Sequence, residues 1–291
     1  MSLFAVFLVI LSSFMHAGWN LLARREGSER TFFKNMLLFI VICGFAPAVA
    51  SELLANSITV KAWFCAAGSG LFCGMYFFFL ARSYESSDFT IAYPVARSLP
   101  VLLVAAGDTL RGRPLTPAGL CGVILVAGGC FLVPLESFRG FAKRRYLNKS
   151  TFWMLLAAFG TVGYSLLDKI ASESVRQGPW TALRYNYFFY FFSFLAYLAF
   201  LRIFKTGGSA SGRKRMPFAC GILSFAAYGL VLWAYQLSEH ASYVVAFRQF
   251  SIVIGVIWGF LMFKEKGLGV RVAGTLMLTL GLLLIAFGGG V

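Results

Sequence analysis

Apolar stretches of roughly twenty residues, nearly free of charge, recur from one end of this chain to the other, and short clusters of Lys and Arg separate them. No other feature constrains the fold as tightly. About 20 apolar residues at 1.5 Å each span the roughly 30 Å of hydrocarbon in a bilayer. Inside hydrocarbon every backbone N–H and C=O needs a partner within the protein, which leaves helices or a closed barrel. Barrel strands alternate apolar and polar residues, whereas Leu115 to Leu135 is apolar on every face. The pattern therefore predicts an all-α integral membrane protein.

Ten spans are predicted: 3–22, 35–51, 62–81, 89–107, 114–135, 150–167, 185–201, 216–238, 241–263 and 272–290. Eight hold no Asp, Glu, Lys or Arg; the fourth and ninth hold one each, Arg97 and Arg248. Asp108 and Asp168 fall at span ends, where they are expected to face water, so no buried carboxylate is anticipated. The first basic residue, Arg24, follows the first apolar run, so Leu3 to Leu22 reads as a retained helix and not a cleaved leader.

Only 13% of the 291 residues are charged, against about a quarter in soluble domains. The net charge of +15 sits beside apolar runs without an aromatic–basic motif, which argues against a nucleic-acid partner. The six cysteines form no CxxC pair, and His16 and His240 complete no metal-ligand spacing, so neither a metal nor a cofactor is expected.

The cations report orientation instead. Loops after odd-numbered spans carry 18 Lys and Arg, led by Lys143, Arg144 and Arg145 and by Arg213, Lys214 and Arg215; loops after even-numbered spans carry 6. The positive-inside rule then places the odd loops in the cytoplasm and both termini outside a plasma or inner membrane. The stretch Gly207 to Gly212 reads as a flexible linker.

The chain also repeats at half its length. Ala17-Gly18-Trp19-Asn20-Leu21-Leu22-Ala23-Arg24 parallels Val162-Gly163-Tyr164-Ser165-Leu166-Leu167-Asp168-Lys169, an offset of 145. Ala66-Ala67-Gly68 parallels Ala219-Cys220-Gly221, Arg97 parallels Arg248, and Gly122 and Gly129 parallel Gly274 and Gly281, at offsets of 151 to 153. The matches fall in one order and divide the chain into halves at 1–140 and 141–291. A unit of five spans is odd, so tandem copies insert in opposite directions. Such inverted repeats hold their ligand near the midplane, between the halves.

Ten spans in two five-helix halves resemble the drug/metabolite transporter superfamily, specifically its EamA-domain members. The most suggestive segments are His16-Ala17-Gly18-Trp19-Asn20, Ala92-Tyr93-Pro94-Val95-Ala96-Arg97, and Phe247-Arg248-Gln249 followed by Phe263-Lys264-Glu265. The resemblance implies a carrier of metabolites such as amino acids, sugars, nucleotide precursors or drugs, often an exporter. The chain departs from it twice. Many members are drawn with cytoplasmic termini, and the small multidrug members carry an acidic residue in their first helix, where this chain has His16.

Arg97 and Arg248 lead the candidate substrate-binding residues. A charge deep in a span costs about 2.5–3.5 kcal/mol on insertion scales, so it faces a cavity or a partner. Helices entering from opposite sides put the two guanidinium groups on either side of the midplane, and guanidinium suits carboxylate or phosphate. His16 and Asn20, four apart, share a helix face, with Trp19 beside them as cavity wall or interface aromatic. Tyr76, Tyr93, Tyr164, Tyr228 and Trp233 add aromatic surface and Gln249 an amide, and Pro94 is a candidate hinge. Small-residue stripes at Gly70/Gly74, at Ser251/Gly255/Gly259 and at Gly274/Gly281/Gly288 are expected to pack helices closely, within the chain or in a homodimer.

These features favour a secondary transporter of an anionic or zwitterionic metabolite, with membrane lipid as its other partner. The alternatives are a cationic-drug exporter and a non-transporting scaffold or sensor. A membrane enzyme would need clustered acid, base or nucleophile residues near one face, and no such set is present.

Overall fold

In the computed structural model, residues 1–23, 29–85, 89–133, 135, 149–205, 215–263 and 268–290 are described, with side chains excepted at 20–23, 29, 84–85, 89–96, 215, 258–263 and 268. The helices are α1 (Leu3–Ala23), α2 (Glu29–Ala55), α3 (Val60–Glu85), α4 (Phe89–Leu110), α5 (Pro117–Leu132), α6 (Lys149–Ser172), α7 (Pro179–Ile203), α8 (Arg215–Leu237), α9 (Ala241–Arg248), α10 (Phe250–Phe263) and α11 (Leu268–Gly288). Every expected span is helical, and α2, α3, α6 and α7 outrun their apolar runs by a turn or more. The boundary expected at residues 140 and 141, the linker Gly207–Gly212, the Lys143 and Arg213 clusters and Glu265 lie outside the described residues or their side chains.

Six described helices are long and apolar enough to cross a membrane by themselves. α5 has 16 residues, about 24 Å of rise, and it starts sharply: Thr116 caps it by accepting from the Gly119 N–H, and Pro117 fills its first turn. The ninth span, expected as one helix, is broken at Gln249 into α9 and α10. Ile252 N–H bonds the Gln249 carbonyl three residues back, a tightened turn. The side chains of Gln249 and Ser251 donate to the carbonyls of Val245 (3.2 Å) and Arg248 (3.0 Å).

The helix pairings carry the inversion. α3 packs on α6 and α1 on α8; exchanging corresponding helices of the two halves converts one pair into the other. α5 packs on its own counterpart α11. A Cβ placed on Gly122 would meet the Gly281 carbonyl at 2.7 Å, and one on Gly281 would meet the Gly122 carbonyl at 2.6 Å. Gly129 and Gly274 repeat the contact, the former facing the Gly274 carbonyl at 2.6 Å. As one number rises the other falls, so α5 and α11 run antiparallel, and the halves are two inverted five-helix repeats. Gly70 and Gly74 pack against α7, so two of the three stripes are spent inside the chain. Gly255 meets nothing within 4 Å, and the close packing expected of its stripe is absent there.

Large apolar side chains face outward, among them Leu3, Phe4, Phe7, Leu11 and Phe14 along one stripe of α1. The interior is mainly apolar as well, with Phe33, Met36, Leu37 and Phe78 buried, and it also holds hydroxyls, including Ser12, Ser13, Ser69, Ser165, Ser193 and Ser224. An apolar exterior with polar groups kept inside suits a bilayer, where helix association draws on small residues and interhelical hydrogen bonds.

The termini meet at one face, where the Met1 amino group donates to the Gly290 carbonyl (2.6 Å) and the Thr116 hydroxyl to the Gly288 carbonyl (2.7 Å). The same face carries the loops after even-numbered spans, which are closed by polar links between the halves. Arg111 and Arg113 of the first half reach Glu173 of the second at 2.6 and 3.2 Å, and Lys169 joins them at 3.2 Å. Arg184 of the second half meets Glu52 of the first at 3.2 Å. Asp108 on α4 accepts from the backbone N–H groups of Ala241 and Ser242 and from the Ser242 hydroxyl, which caps α9 across the divide.

Asp108 and Asp168 do not face water as their positions at span ends suggest; both are fully buried. The helices continue past the apolar runs, and that extra turn carries each carboxylate inside. Asp168 accepts from the Tyr185 hydroxyl (2.8 Å) and from the Tyr228 hydroxyl. Alanine at 168 strands two buried phenols at about 1–3 kcal/mol each, so a clear loss of thermal stability in detergent is expected, with asparagine milder because it keeps an acceptor. An unchanged melting temperature for Asp168→Ala would refute that pairing.

Candidate substrate site

Two interior pockets meet at a shared wall. The first is lined by Ser12, Ser13, His16 and Trp19 of α1, Cys73, Tyr76 and Phe77 of α3, Tyr164 of α6, Phe189 and Tyr190 of α7, Ser224, Ala227, Tyr228 and Val231 of α8, and Arg248 of α9. The second is lined by Arg97 and Pro100 of α4, Met154, Ala157, Ala158 and Thr161 of α6, Leu80, Val245 and Gln249, and again by His16, Tyr76, Tyr164 and Arg248. Residues from both halves form each. The volumes are about 40 and 50 Å³, room for a few waters, so this conformation gathers the side chains around little space.

The repeat explains who meets whom. Arg97 and Arg248 occupy matched positions, and both line the second pocket. An Arg97 Nη group donates to the Ser251 hydroxyl at 2.9 Å, which itself donates to the Arg248 carbonyl. The Arg248 guanidinium lies over the rings of Tyr164 and Tyr228, 5.8 and 5.4 Å from their centroids, and donates to the Tyr164 hydroxyl at 3.4 Å. Its Nη1 has no hydrogen-bond acceptor, and neither has the buried Gln249 Oε1 a donor. A guanidinium N–H and an amide oxygen that lack partners among the described residues, both on residues of the second pocket's wall, can serve an anion and a hydroxyl or amine of a bound solute.

Trp19 is 3% exposed, which removes the interface reading for it. Its indole N–H donates to His16 Nδ1 at 3.1 Å. Tyr76 and Tyr228 line the first pocket with them. The side chains of Asn20, Tyr93 and Pro94 lie outside those described; the backbone of α4 runs helical through 93 and 94. Tyr164, which matches Trp19 in the repeat, lines both pockets, whereas Trp233 lines neither and meets Phe4 edge-on at 5.1 Å. Phe189, Tyr190, Cys73, Ser12, Ser13 and Ser224 join the lining without a signal in the sequence. Phe and Ser are too common in membrane helices for spacing to mark them.

Ten apolar crossings in two inverted halves around an interior site define a polytopic helical membrane protein. The model of the EamA-like transporter family matches residues 3–135 and 148–287, and the chain belongs to that family, whose members are membrane transporters of small molecules. No curated protein sequence matches it significantly. A solved structure described only as "Crystal structure of protein" is similar in fold, with a TM-score of 0.66 at 18% identity over 98% of this chain and 96% of the other.

Proposed function

We propose that the protein is a secondary transporter that carries an anionic or zwitterionic metabolite, an amino acid or an organic or phospho acid, by alternating access. One observation supports this most directly: Arg248 stands in the wall common to both pockets with an unsatisfied N–H, and Arg97 lines the same cavity from the other half. Substrate binding draws on Arg97, Arg248, Gln249, His16, Trp19, Tyr76 and Tyr228, and on Asn20 and Tyr93 by position; Pro94 serves as hinge. The halves 1–140 and 141–291 rock against each other in a plasma or inner membrane with both termini outside, solvated by lipid. A cationic-drug exporter would want a carboxylate at the pocket, and none lines it among the described residues.

The test is counterflow in proteoliposomes with radiolabelled amino acids, organic acids, phospho acids and cationic dyes. Anion or zwitterion exchange is expected; exchange of cationic dyes alone would overturn the reading. Alternating access also requires the even-loop face to part. Glu173→Gln removes the acceptor shared by Arg111, Arg113 and Lys169. It is expected to raise the alkylation rate of a cysteine placed at Ser12 or Val231, reached from that face. An unchanged rate would mean these ion pairs do not hold the face shut.

A further inference from the structure

The site has two unlike compartments, and their walls narrow the solute further than charge does. We infer that the substrate is a monocarboxylate with a planar apolar body, an aryl 2-oxo acid being the type, in preference to the matching amino acid or to a phosphate. This deepens the transport reading and rests on it.

The first pocket is walled by rings in contact with one another. Tyr76 meets Tyr164 edge-on at 6.1 Å, Tyr164 meets Tyr228 edge-on at 5.8 Å, and Tyr228 stacks on Phe189 at 4.6 Å and 25°. Aromatic rings accept apolar planes by offset or edge-on contact, and their electron-rich faces repel anions. Arg248 is the single Lys or Arg among the residues of that pocket and sits at its border with the second, where Arg97, Gln249 and Thr161 stand. A carboxylate therefore belongs on the second pocket's side of Arg248 and an apolar body on the first pocket's side.

The same lining disfavours an ammonium group. No Asp or Glu lines either pocket among the described residues, and the nearest buried carboxylate, Asp168, is taken by Tyr185 and Tyr228. The faces of Tyr164 and Tyr228, which would otherwise attract an ammonium, already hold the Arg248 guanidinium. A zwitterion thus brings its ammonium beside the Arg248 guanidinium with no carboxylate in the described lining to receive it. A phosphate, although two arginines line the second pocket, has no apolar body to place against the rings of the first.

The experiment is isothermal titration of the purified full-length protein in detergent with phenylpyruvate, L-phenylalanine, L-glutamate and inorganic phosphate. Phenylpyruvate is expected to bind at least about tenfold tighter than L-phenylalanine, a difference of about 1.4 kcal/mol, with no saturable heat from the other two. Phe189→Leu, checked for an unchanged melting temperature, is expected to weaken phenylpyruvate binding about tenfold. Equal or tighter binding of L-phenylalanine, tighter binding of phosphate or glutamate, or no binding of phenylpyruvate overturns the inference on the unaltered protein alone. Binding needs no flux, so the two readings fail separately. Phenylpyruvate binding without exchange in proteoliposomes would sink transport and leave this site standing; exchange of another solute with no phenylpyruvate binding would do the reverse.

Discussion

Glutamine in place of Arg248 is expected to abolish saturable solute exchange while leaving a folded, monodisperse protein. The guanidinium is the one Lys or Arg group in the wall common to both pockets, and its Nη1 is without an acceptor among the described residues. Removing one partner of a buried, charge-assisted contact costs about 2–5 kcal/mol, which corresponds to a loss of affinity of about 30- to 5,000-fold. The structural share is smaller. Arg248 gives up one long bond to Tyr164 and two ring contacts, worth about 0.5–2 kcal/mol, and glutamine keeps an amide donor. Counterflow and ligand titration on one preparation, with melting temperature as control, separate the two. Wild-type exchange by Arg248→Gln would remove the residue from the site. Arg97→Gln should differ in kind, because it also breaks the bond to Ser251 that joins α4 to α10 across the halves. Its signature is a slower turnover with a smaller change in affinity.

Much of this site is legible in the sequence because the bilayer makes charge expensive. A lone arginine in a run as apolar as 89–107 or 241–263 needs a cavity or a partner, and the half-chain repeat says that the two arginines occupy matched places. The repeat also selects Tyr164 through Trp19. What spacing does not reveal is how far a helix continues once its apolar run ends. α6 proceeds to Ser172 and α4 to Leu110, so Asp168 and Asp108 lie inside the bundle, bonded to phenols and to the start of α9. Asp108 in turn stabilises α9 as a short separate helix, and the break at Gln249, with no proline there to announce it, comes from side chains covering carbonyls. The aromatic walls of the first pocket are invisible in a chain with 32 Phe and 12 Tyr, where most rings face lipid or core.

The second large effect falls far from the pocket, on the seam where the halves cross. Valine in place of Gly281 sets a Cβ 2.6 Å from the Gly122 carbonyl and 2.8 Å from the Val126 nitrogen, both backbone atoms that yield only if α5 and α11 separate. Overpacking of this kind costs about 1–3 kcal/mol or more, a fall in melting temperature of about 2–12 °C by the slope for chains near this size. The pseudo-two-fold axis sharpens the expectation. Gly122→Val meets the Gly281 carbonyl at 2.7 Å, and Gly129→Val and Gly274→Val meet backbone atoms at 2.6 and 2.8 Å, so all four should cost alike. Gly255→Ala supplies the contrast: with nothing within 4 Å it adds no clash and gains up to about 1 kcal/mol of helix propensity. Size-exclusion profiles and thermal scans in one detergent compare the five variants. Four matched losses with Gly255→Ala unharmed would tie stability to an antiparallel α5–α11 seam. If Gly281→Val behaved like Gly255→Ala, the two helices would not be in contact, and with that seam would go the geometric ground for two oppositely inserted halves and for a site enclosed between them.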